Sequence, residues 1–272
     1  MKTLSILAGL AAVAVLATSA WTLTARTDGH PDDADAASRL VVRERPPVVV
    51  VEALPQLRAS LDDLAARGRF TGGVLVARGD EVLFRQVYGM ADREAGRPFA
   101  LDTPFRLASV SKMFTAAAIL RLQDEGVLSV DDPVCRWIRP CPEAWETIRV
   151  GHLLSHQSGI PDLMARPGWG LRRTTPATLD ELTADSRQYA PAFEPGTDLR
   201  YNNAGFNLAA AVVEAATDSP FDVWLARTFF EPLGMGRTGH DVLPGLAMGY
   251  ADFPAGITPQ PDANVSIIAG AG

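Results

Sequence analysis

Ser109-Val110-Ser111-Lys112 opens a long apolar stretch, and these residue types at this spacing suit nucleophilic catalysis. In a helix, residues three apart share a face, so Ser109 Oγ and Lys112 Nζ can meet, whereas the immediate neighbours Ser111 and Lys112 point apart. Lys112 is the only strongly ionisable side chain from Ser109 to Leu120. An amine in so apolar a stretch is expected to lose part of its hydration, which favours the neutral form and lets it serve as a base toward the adjacent hydroxyl. Lys2 and Lys112 are the only lysines among 25 basic residues, the rest being arginine. Arginine cannot be deprotonated in proteins, so a site that needs a titratable amine excludes it. The competing reading of Ser109 is a helix cap, a role serine often fills.

The segments around this motif carry more information than the motif itself. Pro104-Phe-Arg-Leu-Ala-Ser-Val-Ser-Lys112, Gly126-Val-Leu-Ser-Val-Asp-Asp-Pro133 and Leu153-Leu-Ser-His-Gln-Ser-Gly-Ile-Pro-Asp162 are followed by Phe193-Glu-Pro-Gly196, Tyr201-Asn-Asn203 and Pro232-Leu-Gly-Met235. In this order the set resembles the class C β-lactamase-like family of penicillin-recognising serine enzymes, which also contains D-alanyl-D-alanine carboxypeptidases and related esterases. The resemblance implies an α+β fold of the β-lactamase/transpeptidase type, an antiparallel sheet flanked by helices with a mostly helical subdomain. It implies that Ser109 is the acylated nucleophile and Lys112 its base, with Tyr201 relaying a proton among serine, lysine and leaving group. Asn203 is implied to orient the lysine and bind the substrate amide, and Asn202 stands where the family more commonly has a small residue. Without the resemblance, Tyr201 reads as a packed surface tyrosine and Asn203 as a helix cap. The implied substrates are β-lactams, D-amino-acid peptides or small esters, with no metal or organic cofactor.

The family's third element, a Lys/His-Thr/Ser-Gly strand beside the nucleophile, is not found in the sequence. The ending Ile267-Ile-Ala-Gly-Ala-Gly272 resembles a segment that precedes this strand, so the expectation is a chain that is incomplete at its C-terminus. By the resemblance, the strand donates one of two oxyanion hydrogen bonds, the other coming from Ser109 N–H. Losing one such donor lowers the rate by about 10²–10³. The alternative expectation is therefore a truncated, non-catalytic chain that binds cell-wall peptide or a partner.

The elements that must position these residues are legible from periodicity. Leu57, Leu61 and Leu64 predict a short helix ending at Gly68. Gly73–Ala77 and Val82–Tyr88 read as two strands joined by a tight Gly-Asp turn, a hairpin that is marginal if nothing pairs with it. Ser109–Asp124, apolar almost all round and stopped by Gly126, predicts the buried central helix. Shorter helices are expected over Thr147–His156 and Leu179–Asp185, followed by apolar helices over Ala204–Ala216 and Phe221–Phe230.

The 272 residues are 47% hydrophobic and 21% charged, enough apolar content for a sizeable core. A net charge of -7 leaves no basic field for a phosphate backbone, so nucleic acid is not an expected partner. Leu4–Leu23 is uncharged, follows Lys2 and contains the small residues Ala17, Thr18, Ser19 and Ala20. It reads as an export signal within residues 1–25, with an uncleaved membrane anchor as the alternative. The acidic, proline-containing residues 26–47 read as a tether, and the folded domain as 48–272. Export favours a local Cys135–Cys141 disulfide, with two buried free thiols as the alternative. His152 and His156 lack the glutamate and third ligand of a zinc-protease helix, so no metal site is expected, and His156 reads as a structural hydrogen-bonding residue. Asp131 and Asp132, before a proline, suit a turn or cap. No Gly-x-Ser-x-Gly elbow is present, which disfavours an α/β-hydrolase.

Overall fold

The computed structural model describes residues 50–260 apart from 173, 241, 242, 254 and 255. The chain divides into Met1–Val48 and Val49–Gly272, and the first unit lies wholly outside the described residues. So do the apolar stretch 4–23, the tether 26–47 and the ending 267–272.

The second unit opens with helix α1 (Val50–Ala66), strand β1 (Gly72–Arg78) and strand β2 (Glu81–Tyr88). Sequence periodicity starts the helix at Leu57, after Pro55, yet α1 runs through the proline. The longer helix adds Leu54 to the packing of Leu57 and Leu61 with Phe84 and Tyr88. Between the strands Arg78 pairs with Glu81, and Gly79, at φ 56°, supplies the positive φ that a two-residue hairpin turn needs. Val74 and Val76 are half-buried with this cluster, while Leu75 on the opposite face is exposed. Among the described residues this hairpin is a two-stranded sheet. Two more antiparallel pairs were not evident in the sequence: β3 (Met90–Asp92) with β4 (Arg97–Pro98), and β5 (Tyr250–Phe253) with β6 (Gly256–Pro259). Long-range bonds anchor the last pair: Met248 N–H donates to Ala91 O at 2.8 Å, and Arg93 N–H donates to Tyr250 Oη at 2.7 Å.

The main core is helical. It involves α2 (Ser111–Asp124), α3 (Val150–Leu154), α4 (Trp169–Arg172), α5 (Leu179–Arg187), α6 (Ala204–Thr217) and α7 (Phe221–Leu225), the last running on into a π-helical turn, Ala226–Phe230. The central helix is α6 rather than α2. Every residue from Ala204 to Ala210 is buried, as are Val212 and Val213, and α6 packs against α2, α3, α5 and α7. Small residues permit this, since a Cβ added at Gly205 would sit 3.3 Å from Leu153 O. Helix α2 instead buries one stripe, Lys112, Thr115, Ala118, Ile119 and Leu122, and leaves Met113 66% and Leu120 47% exposed. Its apolar composition all round thus overstated its burial. A disulfide joins Cys135 and Cys141, whose Cα atoms are 5.3 Å apart, against the rim of this core. Asp132 accepts from Ser129 N–H and Arg136, fixing a turn. Among the described residues no helix is long and apolar enough to cross a membrane.

Two loops are laced together beside α6. Ala192 N–H donates to Gly159 O at 2.7 Å, Gly196 N–H to Gln157 O at 2.9 Å, and Arg200 N–H to His156 O at 3.0 Å. Gly159 is required here: its φ is +73°, and an added Cβ would lie 2.4 Å from Phe193 O and 2.9 Å from Pro191 Cβ. Gly159→Ala therefore must push the loops apart as well as strain the backbone, and is expected to cost about 2 kcal/mol or more of stability. Urea unfolding of both proteins measures this, and an unchanged midpoint would remove the close approach from the account.

Candidate active site

Ser109 lies in a 3₁₀ turn, Ala108–Val110, immediately before α2 rather than within it. The turn's first hydrogen bond runs from Val110 N–H to Leu107 O at 3.1 Å, and Ala108 adopts φ +47°, a left-handed conformation that a residue with Cβ adopts at a cost of about 1–2 kcal/mol. The chain thus bends sharply just before the serine, and Ser109 is exposed. Lys112, in the first turn of α2, heads the buried stripe and is only 8% exposed.

The structure brings all four residues picked out in the sequence into one cluster. Ser109 Oγ and Tyr201 Oη are 2.6 Å apart, Lys112 Nζ donates to Ser109 Oγ at 3.3 Å and to Asn203 Oδ1 at 2.8 Å. The amine also lies 4.8 Å from the Tyr201 ring centre and 5.3 Å from that of Phe206. The tyrosine hydroxyl is thus the nearer of the two groups to the serine oxygen. Asn203 is buried, whereas Tyr201 is 52% exposed and forms the open side of the cluster. Ser111 faces elsewhere: with Phe114 and Thr115 it lines a separate cleft of about 810 Å³ whose walls do not include Ser109, Lys112 or Tyr201.

Tyr201 and Asn203 are held from the laced loops. His156 brackets Tyr201, its carbonyl accepting from Arg200 N–H and its Nδ1 accepting from Asn202 N–H at 3.1 Å, with its ring 4.6 Å from the Tyr201 ring. Asn202, not Asn203, caps α6: its Oδ1 accepts from Gly205 N–H at 2.9 Å and its amide donates to Ile160 O. A larger residue at the middle position of Tyr201-Asn-Asn203 is therefore accommodated by work of its own, and the Asn203 side chain is left for the lysine. Asp162 was given no role from sequence, yet it holds Asn203 through bonds from Asn203 N–H at 2.8 Å and Asn203 Nδ2 at 3.3 Å. Its only sequence signal is its place at the end of the segment Leu153–Asp162. His152 serves a different turn, its Nδ1 accepting from Arg149 N–H at 3.2 Å.

Burial pushes the His156 pKa down, the Lys112 charge adds to the effect, and the Asp162 carboxylate opposes it. A histidine whose folded-state pKa is depressed binds fewer protons folded than unfolded as pH falls below its ordinary value. Its contribution is then full above that value and declines with acidification until the folded-state pKa is reached. Thermal unfolding between pH 7.5 and 5 should accordingly show stability falling with pH, and falling less in His156→Gln. Equal slopes in the two proteins would contradict this.

Helices packed around α6, with an antiparallel hairpin covered by α1, make an α+β architecture of the β-lactamase and penicillin-binding-protein type. Residues 57–270 match the protein family described as Beta-lactamase, and the chain belongs to that family, in its class C-like branch. It is 33% identical over 187 residues to a penicillin-binding protein of Bacillus subtilis (strain 168), covering 67% of this chain and 40% of that one. It is 35% identical over 206 residues to esterase EstB of Burkholderia gladioli, covering 68% and 50%. Among solved structures, EstCE1, a hydrolase with promiscuous acyltransferase activity, superposes with a TM-score of 0.70 at 28% identity, covering 79% of this chain and 61% of that one. The chain spans about half the length of the curated relatives it matches.

Proposed function

We propose that the chain carries the active centre of a serine hydrolase that forms an acyl-enzyme at Ser109. One observation carries this reading: an exposed serine hydroxyl within hydrogen-bond reach of both a buried amine and a phenol, the amine being held by a buried asparagine. Ser109 Oγ attacks the substrate carbonyl carbon while its proton passes to the Lys112–Tyr201 pair. The carbon–nitrogen or carbon–oxygen bond then breaks, and the pair returns the proton to the leaving group. Water, activated by the same pair, releases the acid and restores the serine. Tyr201 suits the delivery step because it faces solvent, where the leaving group departs.

The relatives named penicillin-binding protein and esterase favour carbonyl substrates of the β-lactam and ester classes, and the resemblance adds D-amino-acid peptides. The apolar stretch 4–23 and the Cys135–Cys141 disulfide favour a site of action outside the cytoplasm, with the apolar stretch removed or kept as an anchor. A panel of a chromogenic cephalosporin, p-nitrophenyl acetate and a D-alanyl-D-alanine peptide tests the reaction. At least one should be turned over with saturation, and Tyr201→Phe should reduce that rate about 10²–10⁴-fold. A folded chain that turns over none of the three would support the non-catalytic alternative.

A further inference from the structure

The segment from Leu163 to Arg172 and the end of α5 enclose a second cleft, of about 250 Å³, lined by Leu163, Arg166, Trp169, Arg172, Asp185 and Tyr189 among others. Its charges do not balance, with two guanidinium groups against one carboxylate. Arg172 Nη2 pairs with Asp185 Oδ2 at 3.2 Å. Arg166 has no carboxylate within ion-pair distance among the described residues; its Nη2 donates to Pro161 O at 2.9 Å, and its guanidinium lies 4.2 Å from the Tyr189 ring centre. The Nε atoms of both arginines are buried without a hydrogen-bond partner, so the protein itself satisfies neither group fully. Burial disfavours the charged form of Arg166, and the fields of Tyr189, Asp185 and Asp162 only oppose that effect. The rest of the lining mixes apolar and polar groups: Leu163, Pro167, Trp169 and Leu182 with Gln188 and Tyr189.

A guanidinium without a carboxylate partner, in a cleft that it shares with Trp169 and Tyr189, has a defined chemical complement. We propose that this cleft is a binding site for a small carboxylate bearing an aromatic or branched aliphatic group, its carboxylate on Arg166 and its apolar body against Trp169 and Leu163. Arg172 adds positive field, and its pairing with Asp185 leaves Arg166 as the principal anchor. A planar, bidentate guanidinium–carboxylate contact is the strong form of this interaction. The site is separate from the Ser109 cluster in its chemistry, and the inference stands whether or not the chain is catalytic. The two are nevertheless neighbours along the chain, since Asp162 and Met164, which both contact Asn203, precede Arg166.

Trp169 lines the cleft and reports occupancy through its fluorescence. Phenylacetate titrated into the full chain should change the emission with saturation, and the change should disappear in Trp169→Phe. Phenylacetamide, the neutral counterpart, and the variant Arg166→Met should each bind on the order of tenfold or more weakly, as expected for loss of a charge-assisted hydrogen bond. Arg166→Lys, which keeps the charge, should fall between, and it serves as the reference if Arg166→Met does not fold. A response that does not saturate, equal affinity for acid and amide, or unchanged affinity in the folded Arg166 variant would overturn the proposal.

Discussion

Replacing Ser109 with alanine is expected to remove turnover by a factor on the order of 10⁵, the scale on which loss of a nucleophile acts when the rest of the site persists. The fold has little reason to respond. Ser109 is exposed in a 3₁₀ turn, its Oγ touches only Tyr201 Oη and Lys112 Nζ among the described hydrogen bonds, and the turn's backbone bonds do not involve its side chain. A Ser109→Ala protein should thus unfold at an unchanged denaturant midpoint while failing to hydrolyse whichever substrate the wild type accepts. Ser111→Ala is the internal control: it belongs to the face lining the 810 Å³ cleft and should retain activity within a fewfold. If both variants keep the rate, the chemistry lies elsewhere. If both lose it, the turn rather than the hydroxyl is what matters.

The second large effect is expected at Lys112. Lys112→Arg retains a positive charge and hydrogen-bond donors but cannot cycle a proton, so the rate should fall on the order of 10³-fold. This substitution separates two explanations that removal of the side chain would confuse. If the amine acted only as a fixed positive charge beside Ser109, arginine would preserve most of the rate. If it exchanges a proton with Ser109 and Tyr201, arginine fails even in a folded protein. The site is tight, with the amine between Asn203 Oδ1 and the rings of Tyr201 and Phe206, so the comparison includes the unfolding midpoint of the variant. Activity within tenfold of wild type would contradict the proton-transfer role.

How much of this was legible in the sequence depended on distance along the chain. Ser109 and Lys112 are three residues apart, so helical geometry alone could relate them, and the Gly79-Asp80 turn was readable because a hairpin is local. Tyr201 and Asn203 lie some ninety residues further on, as the separations of 92 and 91 in their bonds show, and only the ordered resemblance linked them to the serine. The groups that position them were harder to see. Asp162 binds Asn203 across 41 residues, and no local pattern marks a carboxylate for that pairing. Asn202 and Asn203 are both plausible caps by type, and the choice between them was made by the bond from Asn202 to Ile160 O and by the lysine's claim on Asn203. The central position of α6 was hidden for a related reason. By composition α6 is already the more apolar of the two, with Glu214 its only charged residue against Lys112, Arg121 and Asp124 in α2, but which helix the others surround is decided by contacts distant in sequence, where small alanines and a glycine let four helices approach one another. Strands β5 and β6 are short, flank Pro254-Ala255, and are held by contacts with residues about 150 positions earlier, so neither periodicity nor propensity could announce them.

The central claim is that the Ser109 hydroxyl becomes covalently acylated, and peptide mass spectrometry after reaction with a fluorophosphonate or a penicillin reads that directly. Trypsin releases Leu107-Ala-Ser-Val-Ser-Lys112, which contains both Ser109 and Ser111, and fragment ions assign the added mass to one or the other. The expected result is one adduct per chain on Ser109, absent from Ser109→Ala and present in Ser111→Ala. A folded wild-type chain that stays unmodified, or an adduct on any other residue, would contradict the account.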